Sequence, residues 1–149
     1  MEGKEELVSY KVAKLAKEKG FNWNVLDTFD DKENPVSRYN VDVDGLDSYI
    51  NTGDENYVKE VFELNNSQMQ SGFVARPTQS LLQKWLREEH KISIIIDDCF
   101  IKHDFIDETK LVFDYTLSSL GKQNYKFSKT FNSYEEALES GLKKALKML

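Results

Sequence analysis

KISIIIDDCFI (residues 91–101) and LVFDYTLS (residues 111–118) are the stretches on which the fold turns. The first is β-branched and almost unbroken in hydrophobicity over Ile92 to Ile96, the pattern of a strand covered on both faces. The second alternates. Leu111, Phe113, Tyr115 and Leu117 point one way and Val112, Asp114, Thr116 and Ser118 the other, as a half-buried antiparallel strand requires. After a turn at Gly121, Tyr125, Phe127 and Phe131 continue the spacing of two, so a three-stranded antiparallel meander is predicted.

Helices bracket this meander. Pro77 suits a first helical turn, and behind it Leu81, Leu82, Trp85 and Leu86 form an apolar face over residues 77–89. On the other side Ser133 and Glu136 have capping-box spacing, followed by a stripe of Tyr134, Leu138, Leu142, Ala145 and Leu149, with Lys143, Lys144 and Lys147 near the helix end that favours cations. Further out, Leu7, Val8, Val12, Leu15 and Ala16 share one stripe over residues 5–19, and Gly20 supplies the stop. Between them, residues 21–53 are rich in Asp, Asn and Ser and contain Pro35, Gly45 and Gly53. Loops are expected there, with a short hairpin near Arg38 to Ile50; a helix is expected over 54–65 and a polar connector over 65–76. The predicted class is α+β, in one domain: an N-terminal helix (1–20), an acidic irregular insertion (21–74) and a helix–strand–strand–strand–helix half (75–149) whose meander packs against amphipathic helices.

A chain of 149 residues can bury a sufficient core without disulfides or metals, and a 40% hydrophobic content excludes wholesale disorder. No apolar run is long enough to span a membrane, and no apolar segment follows Met1 as in a secretory signal. The lone cysteine, Cys99, cannot make an internal disulfide, which points to the cytoplasm. The net charge of −6 is unevenly spread: residues 21–74 carry −8 and each flank +1. Such a segment repels phosphate and attracts basic partners, or serves simply as a solvated surface.

Asn40, Asp42, Asp44 and Gly45 have the opening spacing of a calcium-binding EF-hand loop, and are the one metal candidate. Against it, position 12 is Asn51 rather than Glu, position 8 is Asp47, and Pro35 sits where an entering helix would run; a Val43-Asp44-Gly45 turn accounts for the same residues. Cys99 and His103 lie four apart among Asp97, Asp98 and Asp104, but a zinc site lacks further ligands, and a semi-buried thiol at a strand end beside a surface histidine is the favoured account of them. His90 closes a helix where the dipole favours a cation. Asp97 and Asp98 are adjacent and so face opposite sides of a strand, which prevents paired acid–base work. No phosphate loop, nucleophile elbow, zinc-protease or dinucleotide motif is present, and neither a catalytic residue nor a cofactor is assigned. Phe21, Trp23, Phe29, Tyr39 and Tyr49 interleave with the acidic cluster. Either they close over the core, or they grip a basic protein surface. On the second reading the partner-binding residues are Trp23, Tyr39, Asp42, Asp44, Asp47 and Tyr49.

Three segments, VSYKVAKLAKEKGFN (8–22), RPTQSLLQKWLREEHKISI (76–94) and SYEEALESGLKKALKML (133–149), resemble a group of small uncharacterised proteins encoded by phages and mobile elements of gut anaerobes. That resemblance implies a genomic setting and no activity. From Pro77 on, the order of elements also resembles double-stranded-RNA-binding domains, whose last helix begins with lysines over the RNA phosphates; here that position reads Ser133, Tyr134, Glu135, Glu136. HicB-type antitoxins end three strands in a similar EEAL helix. The favoured reading is a non-enzymatic accessory protein of phage or mobile-element origin that binds an unidentified protein through its acidic, aromatic middle, without nucleic acid or membrane. A degenerate nucleic-acid-binding module is the alternative, and a small enzyme without a recognisable motif the third.

Overall fold

A computed structural model describes residues 5–37, 63–102, 109–127 and 129–149. The mixed α+β class is as expected: the described residues form three helices and two three-stranded antiparallel sheets. The chain forms two compact units, Ser9–Pro77 and the pair Met1–Val8 with Thr78–Leu149.

In the first unit, helix α1 spans Tyr10–Glu18. It starts later than the apolar stripe suggests, because Ser9 is the N-cap, its side chain accepting the Val12 N–H at 3.4 Å. The helix ends before Gly20, whose φ of +90° favours glycine. Val12, Ala13 and Ala16 are its buried face. Strands β1 (Asp27–Phe29), β2 (Pro35–Ser37) and β3 (Val74–Arg76) form a sheet of order β2-β1-β3.

Two expectations are corrected here. The described part of the 21–74 segment is not irregular throughout, since it carries β1 and β2, and the polar connector ends in a strand whose Val74 and Ala75 are buried. The β1–β2 hairpin is held by Asp30, whose carboxylate accepts the N–H groups of Lys32 at 2.9 Å and Asn34 at 2.8 Å. These hydrogen bonds, first that from Asn34, hold its carboxyl below the usual aspartate range. Asn66 braces β3, donating to the Phe21 carbonyl at 2.8 Å and accepting the Ala75 N–H at 2.9 Å. The hairpin expected at Arg38 to Ile50 and most of the helix expected over 54–65 lie outside the described residues.

In the second unit, Leu7 is not helical; it bridges Thr78, and the Gln79 N–H bonds the Glu6 carbonyl at 2.8 Å. Helix α2 spans Gln79–His90. Its N-cap is Thr78, which accepts the Leu81 N–H at 3.2 Å, so Pro77 precedes the cap instead of occupying the first turn. Lys91, left-handed at φ +55°, turns the chain directly into β4 (Ile92–Lys102). β5 (Thr109–Ser119) and the short β6 (Tyr125–Lys126) complete the expected meander in the order β4-β5-β6. Helix α3 spans Tyr134–Lys147. Ser133 caps it, accepting the Glu136 N–H at 3.1 Å, while the Glu136 carboxylate reaches back to the Asn132 N–H at 3.3 Å.

The core of this unit lies where α2 and α3 cover one face of the sheet. Ile92, Ile94, Tyr115 and Leu117 meet Leu82, Leu86, Leu138, Leu142 and Leu146, all buried. Gln79 ties the two helices, its amide donating to the Glu135 carbonyl and the Glu139 carboxylate at 3.0 Å each. Tyr134 and Leu149, expected in the α3 stripe, are exposed at its ends. Nor is β4 covered on both faces: Ile95 is 48% exposed although its neighbours Ile92 and Ile94 are buried. The isoleucine run misleads because hydrophobic continuity does not reveal whether a second layer exists.

Candidate functional site

The sequence candidates fare unequally. Trp23 is half-buried between α1 and β1. Tyr39, Asn40, Asp42, Asp44, Asp47 and Tyr49, the remaining partner-binding and calcium candidates, lie outside the described residues. Phe21 and Phe29 are core residues; Tyr10 packs edge-on against Phe29 at 5.3 Å, and the Arg76 guanidinium sits 4.7 Å from the centre of that ring. His90 packs edge-on against Trp85 at 4.5 Å, at the end of α2. Cys99 is an exposed thiol on β4, opposite Val112, while His103 lies outside the described residues. Among the described residues, no three His, Cys, Asp or Glu side chains converge as a metal site would need.

The register of β4 with β5 exposes a feature that sequence reasoning missed. Pairing runs without a break from Ile92↔Ser119 to Lys102↔Thr109. The helices cover only the near half, where Ile94 faces Leu117 and Ile96 faces Tyr115. The far half continues as a ribbon carrying large apolar side chains in water: Phe100 is 72% exposed and its partner across the ladder, Leu111, 37%, while Ile101, on the opposite face, stands at 38%. Asp97 and Asp98 sit in the middle of this strand, both exposed.

The carboxylates are not isolated. Asp97 stands directly opposite Asp114, a like-charge cross-strand pair that opposes strand pairing. Asp114 is offset on its other side by Lys126, whose Nζ lies 3.8 Å from Oδ2. Oδ1 of Asp114 is buried and has no hydrogen-bond partner. One signal in the sequence could have found this constellation, since aligning the two strands about their connection brings the Asp of each into one row.

Comparison with family models, with curated proteins and with solved structures finds no match. The surface chemistry must therefore carry the functional reading. At the near end of the sheet a shallow, open depression is lined by Arg87, Lys91, Ser93, Ser118 and Ser119. The Lys91 ammonium is engaged by the Glu88 carbonyl at 2.6 Å, and the serines have no histidine or carboxylate among the lining residues to act as a base. At the start of α3, Glu135 and Glu136 are exposed in the first turn, where the resemblance to double-stranded-RNA-binding domains would require lysines. Among the described residues no helix is long and apolar enough to cross a membrane.

Proposed function

We propose that this protein is a non-enzymatic, cytoplasmic accessory factor that binds another protein, and that the far half of the β4–β5 ribbon belongs to the surface it uses. The observation that supports this reading is the solvent exposure of Phe100, Ile101 and Leu111 on a ribbon the helices leave uncovered. Exposed apolar side chains grouped on one element mark interaction sites more often than chance exposure does. Phe100 is the anchor of this surface, because aromatic side chains concentrate binding energy. The acidic residues Asp42, Asp44 and Asp47, with Trp23, Tyr39 and Tyr49, are proposed as a second contact region for the same basic partner. The phage or mobile-element setting rests on the wording of the three segments that resemble such proteins.

Affinity capture from the native host tests both regions. Phe100→Ser is expected to reduce the captured partner at least about tenfold, the loss of a hot-spot aromatic. Converting Asp42, Asp44 and Asp47 together to Lys is expected to reduce it as well. Undiminished capture by the Phe100 variant removes the ribbon from the binding surface; undiminished capture by the triple variant removes the acidic segment.

A further inference from the structure

The outer edge of β4 offers more than exposed side chains. An antiparallel residue directs its N–H and C=O to the same side, and successive residues alternate sides. The Lys91 carbonyl accepts from Leu120 on the β5 side, whereas the Ile94 carbonyl accepts from the Gln83 side chain at 2.9 Å, on the side away from β5. The even-numbered residues of β4 therefore aim their main-chain groups outward. Gln83 caps Ile94. Beyond it Ile96, Asp98 and Phe100 present an N–H and a C=O each, and no described strand pairs with them. An edge that the described strands leave unpaired over this length is a template for another strand.

The side chains along the edge specify what that strand must be. On one face Asp97 and Asp114 stand directly opposite each other, two adjacent negative charges, and Lys126, which pairs with Thr116, reaches Asp114 diagonally, so that the cation lies on the β6 side of the pair. A basic residue across the open edge from Asp97 completes the alternation. Asp98, on the opposite face, asks for a second basic residue, and neighbours on a strand point to opposite faces. Ile95 and Cys99 flank Asp97 on its face, with Ile101 beyond, and Ile96 and Phe100 flank Asp98 on the other. Resting on the protein-binding reading above, we infer that the outer edge of β4 receives an extended segment of a partner protein, in which two consecutive basic residues lie between β-branched or aromatic ones, and that the segment adds as a fourth strand. A second copy of this chain is the poorer occupant: pairing centred on the middle of the strand would set Asp97 or Asp98 against its own counterpart.

The probe is a fluorescein-labelled peptide, acetyl-Thr-Val-Ile-Lys-Lys-Val-Tyr-Thr-amide, titrated into the full chain and followed by anisotropy. Strand addition predicts saturable binding, weakened at least about tenfold when Glu-Glu replaces Lys-Lys or when the protein carries Asp97→Lys with Asp98→Lys. The decisive readout uses the unaltered protein with N-methylated peptides. Methylating one alternate set of amides is expected to abolish binding, and methylating the other set to leave it intact, because only one set faces β4. Equal tolerance of both sets, or no binding of the Lys-Lys peptide, overturns the inference. So does a concentration-dependent dimer in sedimentation that Phe100→Ser dissolves, which would give the edge to a second copy. Capture of a native partner that depends on Phe100, without the alternating methylation pattern, would retain the protein-binding reading and reject strand addition.

Discussion

At position 141 the close approach of helix to sheet depends on a missing side chain. A Cβ on Gly141 would lie 2.9 Å from Ile94 Cγ2 and 3.4 Å from the Tyr115 ring. In an exposed helix, Gly→Ala is worth about 1 kcal/mol of stability. Here the new methyl must displace a buried isoleucine, and overpacking of that kind costs about 1–3 kcal/mol. Gly141→Ala is therefore expected to lower the urea midpoint, and to lower it less in an Ile94→Ala background, where the obstructing methyl is gone. A raised midpoint in the Gly141 variant would show that α3 can shift without loss. The two features of α3 differ in legibility for a physical reason. Ser133 and Glu136 were readable because a cap is a local bond between residues three apart, whereas the need for glycine at 141 arises from residues 26 and 47 positions away in sequence.

The same division between local and distant causes governs whole elements. The three helices and the meander follow from periodicities that each segment carries within itself. The β2-β1-β3 sheet does not, because its strands are three residues each and β3 joins from far along the chain. Its hairpin depends on a side chain acting as a turn scaffold: Asp30 also accepts from the Asn34 amide at 3.3 Å, around Glu33 at a φ of +66°. Because the folded pKa of Asp30 is lowered, its contribution is present above the ordinary value of 3.8 and is lost as pH falls through the folded value. NMR titration is expected to show the amides of Lys32 and Asn34 following a carboxyl that protonates below 3.8, and to lose that inflection in Asp30→Ala. An inflection at or above 3.8 would mean the scaffold does not favour the ionised form. The candidate surface was half legible in the same sense. That Asp97 and Asp98 point to opposite faces of a strand was readable, but that Asp97 faces Asp114 and that no described strand pairs with the outer edge of β4 are matters of register and sheet order.

At the scale of the whole chain, charge is what sets the proposed protein partner apart from a nucleic acid. The −8 of residues 21–74 is joined by Glu135 and Glu136 in the first turn of α3, exposed where a phosphate-reading helix would carry cations. The lysines of α3 cluster instead toward its C-terminal end; Lys143 and Lys147 are exposed, and the Lys144 ammonium lies 4.7 Å from the centre of the Tyr125 ring. Lysines there complement the helix dipole and leave the first turn negative. Proteins that neutralise several phosphates bind at about 50 mM salt and lose roughly 10³–10⁵ in affinity by about 200 mM, because each contact releases counterions. This chain is expected to show no retention of double-stranded RNA or DNA in filter binding at the lower salt. Converting Glu135 and Glu136 to Lys should then introduce weak, salt-sensitive retention, since it removes repulsion at the one position where the topology would meet a backbone. Binding by the unaltered chain that falls steeply with salt would instead restore the nucleic-acid reading, and with it the helix–meander–helix half as the functional part of the molecule.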